Sequence, residues 1–296
     1  MLDKNFRRIF DTFTSYLFIL PALVLYVLFV FLSIFKTLRY SLFDWDGASP
    51  KMKFVGLENY AKLLGDEIFW KALVHNVQWI VFTIIIPMTI GLILAVLVSR
   101  KEIRGKVLFR TTYFLPTILS TVVVSIIWTW IYHPEYGKLN QALRFIGLDI
   151  AATGWLGNPE TVLWALVTAG GWAYYGFCMA IFMAAIQGID TVYYEVARIE
   201  GANVLHTFFK VTIPLLKNTM TLMTLHAMIL SFKVFDIVYA TTRGGPYYSS
   251  EVISNYMFTK AFFENNVGYG AALAMMLGIF IALISIGYLR IVERGE

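Results

Sequence analysis

Apolar runs of about twenty residues, separated by short polar stretches, dominate this chain, and that is the length a helix needs to cross the hydrocarbon core of a bilayer. Six such runs predict membrane-spanning helices over residues 15–35, 77–98, 111–131, 161–186, 218–241 and 270–289. The runs are continuous rather than alternating and too long for barrel strands, so a β-barrel is excluded. Backbone polar groups in lipid must be satisfied within each segment, which favours helices. The expectation is therefore an all-α polytopic membrane protein, with a cytoplasmic N-terminal segment at 1–14 and a six-span domain over 15–291. The first run follows Lys4, Arg7 and Arg8 like a signal peptide. It is too long for a typical signal core and has no small-residue cleavage site behind it, so it reads as a retained span.

Composition sharpens this picture. Of 296 residues, 58% are hydrophobic and only 15% charged, against about 25% charged in soluble domains. The formal net charge of +5 does not point to nucleic acid, because the basic residues flank apolar runs. There they set orientation. Arg100, Lys101, Arg104, Lys106 and Arg110 crowd the short loop between the second and third runs. That loop is expected on the cytoplasmic side, which puts both termini there as well, in agreement with Lys4, Arg7, Arg8, Arg290 and Arg294. The first external loop is a blemish, since Lys36, Arg39, Lys51 and Lys53 are mixed there with acidic residues. Pro21, Pro87 and Pro116 fall in or at the start of three spans. They either kink these helices around a cavity or are simply tolerated by membrane packing.

The loop at 187–217 is long for a cytoplasmic connection here. Asp190 or Thr191 can cap a helix at its start, and Glu195 follows in an early turn. Gly201 removes a side chain, so another backbone could approach closely. Pro214 is expected to force Ile213 out of helical geometry and make an elbow before the fifth span. The result suits a docking surface, although an amphipathic helix lying on the membrane would look similar.

In this loop the chain resembles the permease subunits of importers of the ATP-binding-cassette class. Their pattern is E-A-A, three residues, G, nine residues, I-x-L-P. Glu195, Val196 and Ala197 are followed by Gly201, and nine residues later by Val211, Thr212, Ile213 and Pro214, with apolar replacements only. The resemblance covers nearly the whole chain and narrows to carbohydrate permeases of the maltose and glycerol-3-phosphate type. It rests on the stretches FVGLENYAKLL at 54–64, FDIVYATTRGGP at 235–246 and YMFTKAF at 256–262, and on Trp172, Gly176, Phe177, Met179 and Gln187. Arg243 stands where a small or apolar residue is more usual. The resemblance implies an importer permease fold whose cytoplasmic coupling helix, carrying Glu195, Ala197, Gly201, Ile213 and Pro214, docks in a groove of an ATPase. It further implies a second permease subunit, two ATPase subunits, an extracytoplasmic solute-binding protein, a sugar or oligosaccharide cargo, and a bacterial or archaeal cytoplasmic membrane. Transport would proceed by alternating access.

Two stretches could line a path. Lys233 and Asp236, in the fifth span, are spaced to pair on one helix face. That face should meet a cavity or an interface rather than lipid. It is either a polar wall or a structural ion pair. Trp172, Tyr174 and Tyr175 in the fourth span could stack on sugar rings, or could be ordinary packing beside glycines. His226 reads as an interhelical hydrogen-bonder. Cys178 reads as a small buried hydrophobe. The sequence has no nucleotide-binding G-x-x-x-x-G-K-[ST] loop, no metal-ligand spacing and no nucleophile–base set. It is expected to hold no cofactor and to be no enzyme, with ATP bound by partners. The alternative is a stand-alone ion-coupled carrier or channel, which would need Lys233 and Asp236 as its coupling site.

Overall fold

The computed structural model describes residues 16–99, 104–148 and 154–294. The N-terminal segment at 1–14, with Lys4, Arg7 and Arg8, and the loop residues Arg100 and Lys101 lie outside the described residues. The chain forms two compact units.

The first unit comprises the chain up to Gly65 together with Met257–Met276. Its long helix α1 (Tyr16–Ser41) is apolar throughout and includes a π-helical turn at Val27–Phe31. A two-stranded antiparallel ribbon follows, β1 (Phe43–Asp44) with β2 (Lys53–Phe54). Then comes α2 (Glu58–Leu64), so the stretch FVGLENYAKLL is a strand end, a turn and a short helix. The buried Asn59 holds this unit: its amide donates to the carbonyls of Ser41 and Phe43, both at 3.0 Å.

The second unit comprises Asp66–Tyr256 and the end of the chain from Leu277. Helices α3 (Glu67–Ile85) and α4 (Pro87–Ser99) run together as one 33-residue apolar rod, with Pro87 at the start of the second part. Helices α5 (Lys106–Ile118) and α6 (Thr121–Ile131) follow, then the short α7 (Lys138–Phe145) and the 26-residue α8 (Val162–Gln187). Helices α9 (Thr191–Ile199) and α10 (Val204–Leu215) make the next loop. Then come α11 (Lys217–Phe232), α12 (Asp236–Thr241), α13 (Ile253–Phe258) and α14 (Val267–Arg294). Helix α8 is clasped from two sides through glycine. A methyl at Gly91 of α4 would lie 2.5 Å from Cys178 Cβ and 2.8 Å from the Tyr175 carbonyl; one at Gly176 would lie 2.5 Å from the Tyr113 carbonyl of α5. Small residues are what let membrane helices approach this closely.

Four described helices are long and apolar enough to cross a bilayer, and a fifth if α5 and α6 count as one. Two of the six expected spans are therefore not single helices. The third run bends by 97° between α5 and α6. Pro116 sits in the last turn of α5, and Ser120 starts a new helix by accepting from the Val123 amide. The fifth run is interrupted at 233–235, leaving α11 with 16 residues and α12 with six.

A break inside an apolar helix strands backbone groups that water cannot reach. Here side chains from elsewhere in the unit satisfy them. The buried Asn76 of α3 donates to the Ser231 carbonyl at 2.8 Å and accepts from the Ile253 amide at 3.1 Å. Ser254 donates to the Phe232 carbonyl at 3.1 Å. The segment from 242 to 252 is drawn into the same polar seam. His75 Nδ1 bonds the Glu251 carbonyl at 2.8 Å, and Glu251 Oε1 accepts from the Val252 amide and from Asn255 Nδ2. Gly244, with φ +86°, packs directly on the Glu251 carboxylate, where any Cβ would collide. Lys71 donates to the Tyr247 carbonyl at 2.9 Å. Glu251 is only 2% exposed, and burial pushes its carboxyl up from 4.5 to about 7.

Two outcomes follow from this seam. Asn76→Leu keeps the volume but strands a carbonyl and an amide, at about 1–3 kcal/mol each. Thermal unfolding of the purified complex should therefore occur markedly earlier than in an exposed-site control such as Trp164→Ala; an equal midpoint would remove Asn76 from its bridging role. The second concerns acidity. A raised carboxyl contributes stability below 4.5 that is lost as pH rises through about 7. Glu251→Gln should match the wild type near pH 5 and become the more stable protein near pH 8, by at most about 3 kcal/mol. A gap between the two that does not widen with pH would contradict the burial of a titrating carboxyl.

Candidate functional site

The loop at 187–217 is built from local signals. Asp190 caps α9 by accepting from the Val192 amide at 3.0 Å. The helix ends in a Schellman motif: the Gly201 amide donates to the Arg198 carbonyl at 3.1 Å, and the Ala202 amide to the Ala197 carbonyl at 2.9 Å. Gly201 itself sits at φ +74°, and among the described residues nothing beyond its chain neighbours lies within 4 Å of where its Cβ would be. Within this chain Gly201 thus has a conformational role, which stands beside the expectation that another backbone approaches there. Asn203 then caps α10, accepting from the His206 amide at 2.8 Å.

The expected elbow at Pro214 is also corrected. Ile213 is helical, at φ −60° and ψ −49°. A π-helical turn at Phe208–Thr212 precedes the proline, with the Ile213 amide bonded to the Phe208 carbonyl five residues back. The wider turn carries the chain into Pro214 without leaving the helix, and the break comes at Leu216. Ala197 is buried, with Tyr194 Oη 3.5 Å from Thr212 Oγ1 beside it. Ile213 packs on the core around Leu216 and Met223. Glu195 and Pro214 are exposed. Apolar residues are exposed too: Ile199 by 85% and Leu205 by 68%.

The second candidate region is the interrupted run. Lys233 caps the end of α11 and Asp236 opens α12. The helix break between them replaces the expected i,i+3 face, and among the described residues no ion pair joins the two. Asp236 lies at a helix N-terminus, where a negative charge is favoured. Exposed positions recur down α11 and α12 at Asn218, Leu222, His226, Leu230, Lys233, Asp236, Ala240 and Arg243. Steps of three and four residues put those on each helix along one side. Arg243 takes φ +52° and lays its guanidinium 5.7 Å over the Tyr239 ring.

The aromatic residues of α8 divide. Trp172 is half-buried and meets Trp128 edge-on at 5.9 Å. Tyr174 is buried, and its hydroxyl lies 2.9 Å from His226 Nδ1. Tyr175 is half-buried. Sequence reading passed over His75, Asn76, Glu251 and Asn255. Their only signal was polarity beside apolar runs: His75 and Asn76 meet partners 155 to 177 residues away, and Asn255 meets Glu251 within one loop.

Comparison with known proteins places this architecture. Residues 87–294 match the family described as binding-protein-dependent transport system inner membrane component. The probable ABC transporter permease protein YurN of Bacillus subtilis is 36% identical over 282 residues, covering 95% of this chain and 96% of the relative. The lactose transport system permease protein LacF of Rhizobium radiobacter is 32% identical, covering 95% and 94%. The diacetylchitobiose uptake system permease protein NgcF of Streptomyces coelicolor is 31% identical, covering 93% and 82%. The fold matches a chain from the crystal structure of a bacterial ABC transporter that imports the acidic polysaccharide alginate, with a TM-score of 0.84, 19% identity and 99% of both chains covered. The capped loop helix, the glycine-clasped α8 and these matches lead to one assignment: the chain belongs to the inner membrane components of binding-protein-dependent transport systems, a family of multi-pass transporter permeases.

Proposed function

We propose that this permease translocates a sugar or oligosaccharide inward by alternating access, as one of two permease subunits above two ATPases. An extracytoplasmic binding protein delivers the cargo. The observation that carries the coupling half of this reading is the surface of the α9–α10 loop. Ile199 and Leu205 stand largely exposed on a segment whose helix ends are both internally capped. An exposed apolar patch on a structured loop fits a protein partner. ATP is then bound and hydrolysed in the partner subunits, and this chain needs no cofactor of its own. The carbohydrate half is supported by the relatives LacF and NgcF, a lactose transport and a diacetylchitobiose uptake permease protein.

Six crossings with both termini cytoplasmic remain the topology that fits, with the bent α5–α6 pair as the third and α11 with α12 as an interrupted fifth. Interrupted helices are tolerated at membrane depth only where protein or a water-filled cavity covers them. The unpaired Lys233 and Asp236 therefore fit the wall of a path, with Trp172 and Tyr175 lining it from α8 and Tyr174 behind them. A stand-alone carrier has no use for the capped loop.

Two experiments test this. Left-handed backbone costs an L-residue about 1–2 kcal/mol, and asparagine tolerates it best. Gly201→Asn should therefore keep ATPase co-purification and coupled uptake, while Gly201→Val should lose both without harming membrane insertion. Equal loss in the two variants would restore the reading that a partner fills the space at Gly201. In the path, Asp236→Asn should cut uptake about tenfold in a complex that still assembles, as expected for one lost charge-assisted contact. Because Lys233 and Asp236 do not serve each other, the pair Lys233→Met with Asp236→Leu should not restore transport. Recovery in the double variant would make the two a structural pair.

A further inference from the structure

His226 lies mid-way along α11, on the exposed side that also carries Asn218 and Lys233. Its ring is fixed from one side only. Tyr174 Oη lies 2.9 Å from Nδ1, the two rings are nearly parallel at 8° with centroids 5.8 Å apart, and the Phe177 ring follows at 5.2 Å. Tyr174 is buried among the apolar side chains that pack α8 against α4 and α11, so it cannot itself meet a solute. What it can do is hold the imidazole. With Nδ1 occupied by the phenol, Nε2 is the nitrogen left for a ligand, and the direction of the Tyr174 bond sets whether Nε2 donates or accepts. An oriented imidazole on the outer side of a membrane helix is out of place against hydrocarbon, and polar side chains at this depth face a cavity or a neighbouring subunit.

We infer that His226 is a substrate-contacting residue of the translocation path, which takes a sugar hydroxyl at Nε2, and that Tyr174 is its positioning residue. This rests on the carbohydrate-permease reading above. A hydroxyl can donate or accept, so either neutral tautomer serves. The flat aromatic surface of Tyr174 and Phe177 behind the imidazole keeps the contact from swinging away, which lowers the entropy lost when the cargo binds.

The test uses the assembled complex and has two arms. In the first, Cys178→Ala removes the chain's one cysteine while keeping the Cβ that packs on Gly91. His226→Cys in that background is then treated in membrane vesicles with a membrane-impermeant cationic thiol reagent. Modification that is slowed by a transported sugar is expected. No modification, or modification indifferent to the sugar, would overturn the inference in favour of a lipid-facing or subunit-facing histidine.

The second arm measures uptake of lactose, maltose and diacetylchitobiose, carrying forward whichever the wild type imports. His226→Phe keeps the ring packing and should lower uptake about 10- to 100-fold, the range for a lost buried hydrogen bond. His226→Gln, which retains a donor and an acceptor, should stay within a few-fold. Tyr174→Phe should fall between them and add nothing when combined with His226→Phe. Wild-type uptake by His226→Phe would sink the proposal. If the wild type imports none of the three sugars, the carbohydrate reading fails, and reagent access in the first arm, with protection by the cargo then found, decides the place of His226.

Discussion

The second unit of this structure depends on closing the hydrogen bonds of a helix that stops inside an apolar environment. A carbonyl that loses its partner in hydrocarbon costs far more than one in water. The interruption at 233–235 creates several such groups at once, and one asparagine meets the Ser231 carbonyl there while also accepting from the Ile253 amide that opens α13. Nearly everything on that side of the unit follows. Because Asn76 and Ser254 hold the ends of α11 and α13, the chain between can leave the helix, place Lys233 and Asp236 as separate exposed charges, and return through a turn that buries Glu251. The glycine of the GGP turn is needed on two counts, its positive φ and the carboxylate lying against it. Part of what marks the motif FDIVYATTRGGP is thereby a packing requirement made by a residue seven positions later.

The spans were legible in the sequence wherever length and continuity of apolar residues were enough, as in α1, α8 and α14. The places that differ are those where a side chain far along the chain overrides a local rule. Nothing near Lys233 announces a break, because leucines and phenylalanines surround it. The break is stable only because Asn76 is within reach in three dimensions. Pro214 is the converse case. The restriction on the residue before a proline is real, but a π turn five residues long offers the chain a way round it, and π turns have no strong sequence signature.

The candidate site divides in the same way. Local signals marked the loop helix, its cap and Gly201, because capping is a matter of neighbours, whereas Ala197 came only with the resemblance to the permease pattern. The reason for the glycine was not legible. Crowding and a left-handed backbone both select glycine, and the φ of +74° shows that the second applies within this chain. In α8 the motif drew attention to Tyr174. Its burial, and the passing of its polar end to His226, depends on the packing of α11.

The clasp on α8 has a mechanical consequence. Where Gly91 and Gly176 let backbone approach backbone, little side chain stands between α8 and its neighbours to absorb a displacement by changing rotamer. Helices α4, α8 and α5 thus form a stiff plate. Helix α9 begins four residues after α8 ends, joined by the tight turn that Gly188 and Ile189 close onto Ala185 and Ile186. On the reading proposed for the α9–α10 loop, a push at α9 has almost no slack to take up before it moves that plate, and the far end of α8 should travel nearly as far as α9 itself.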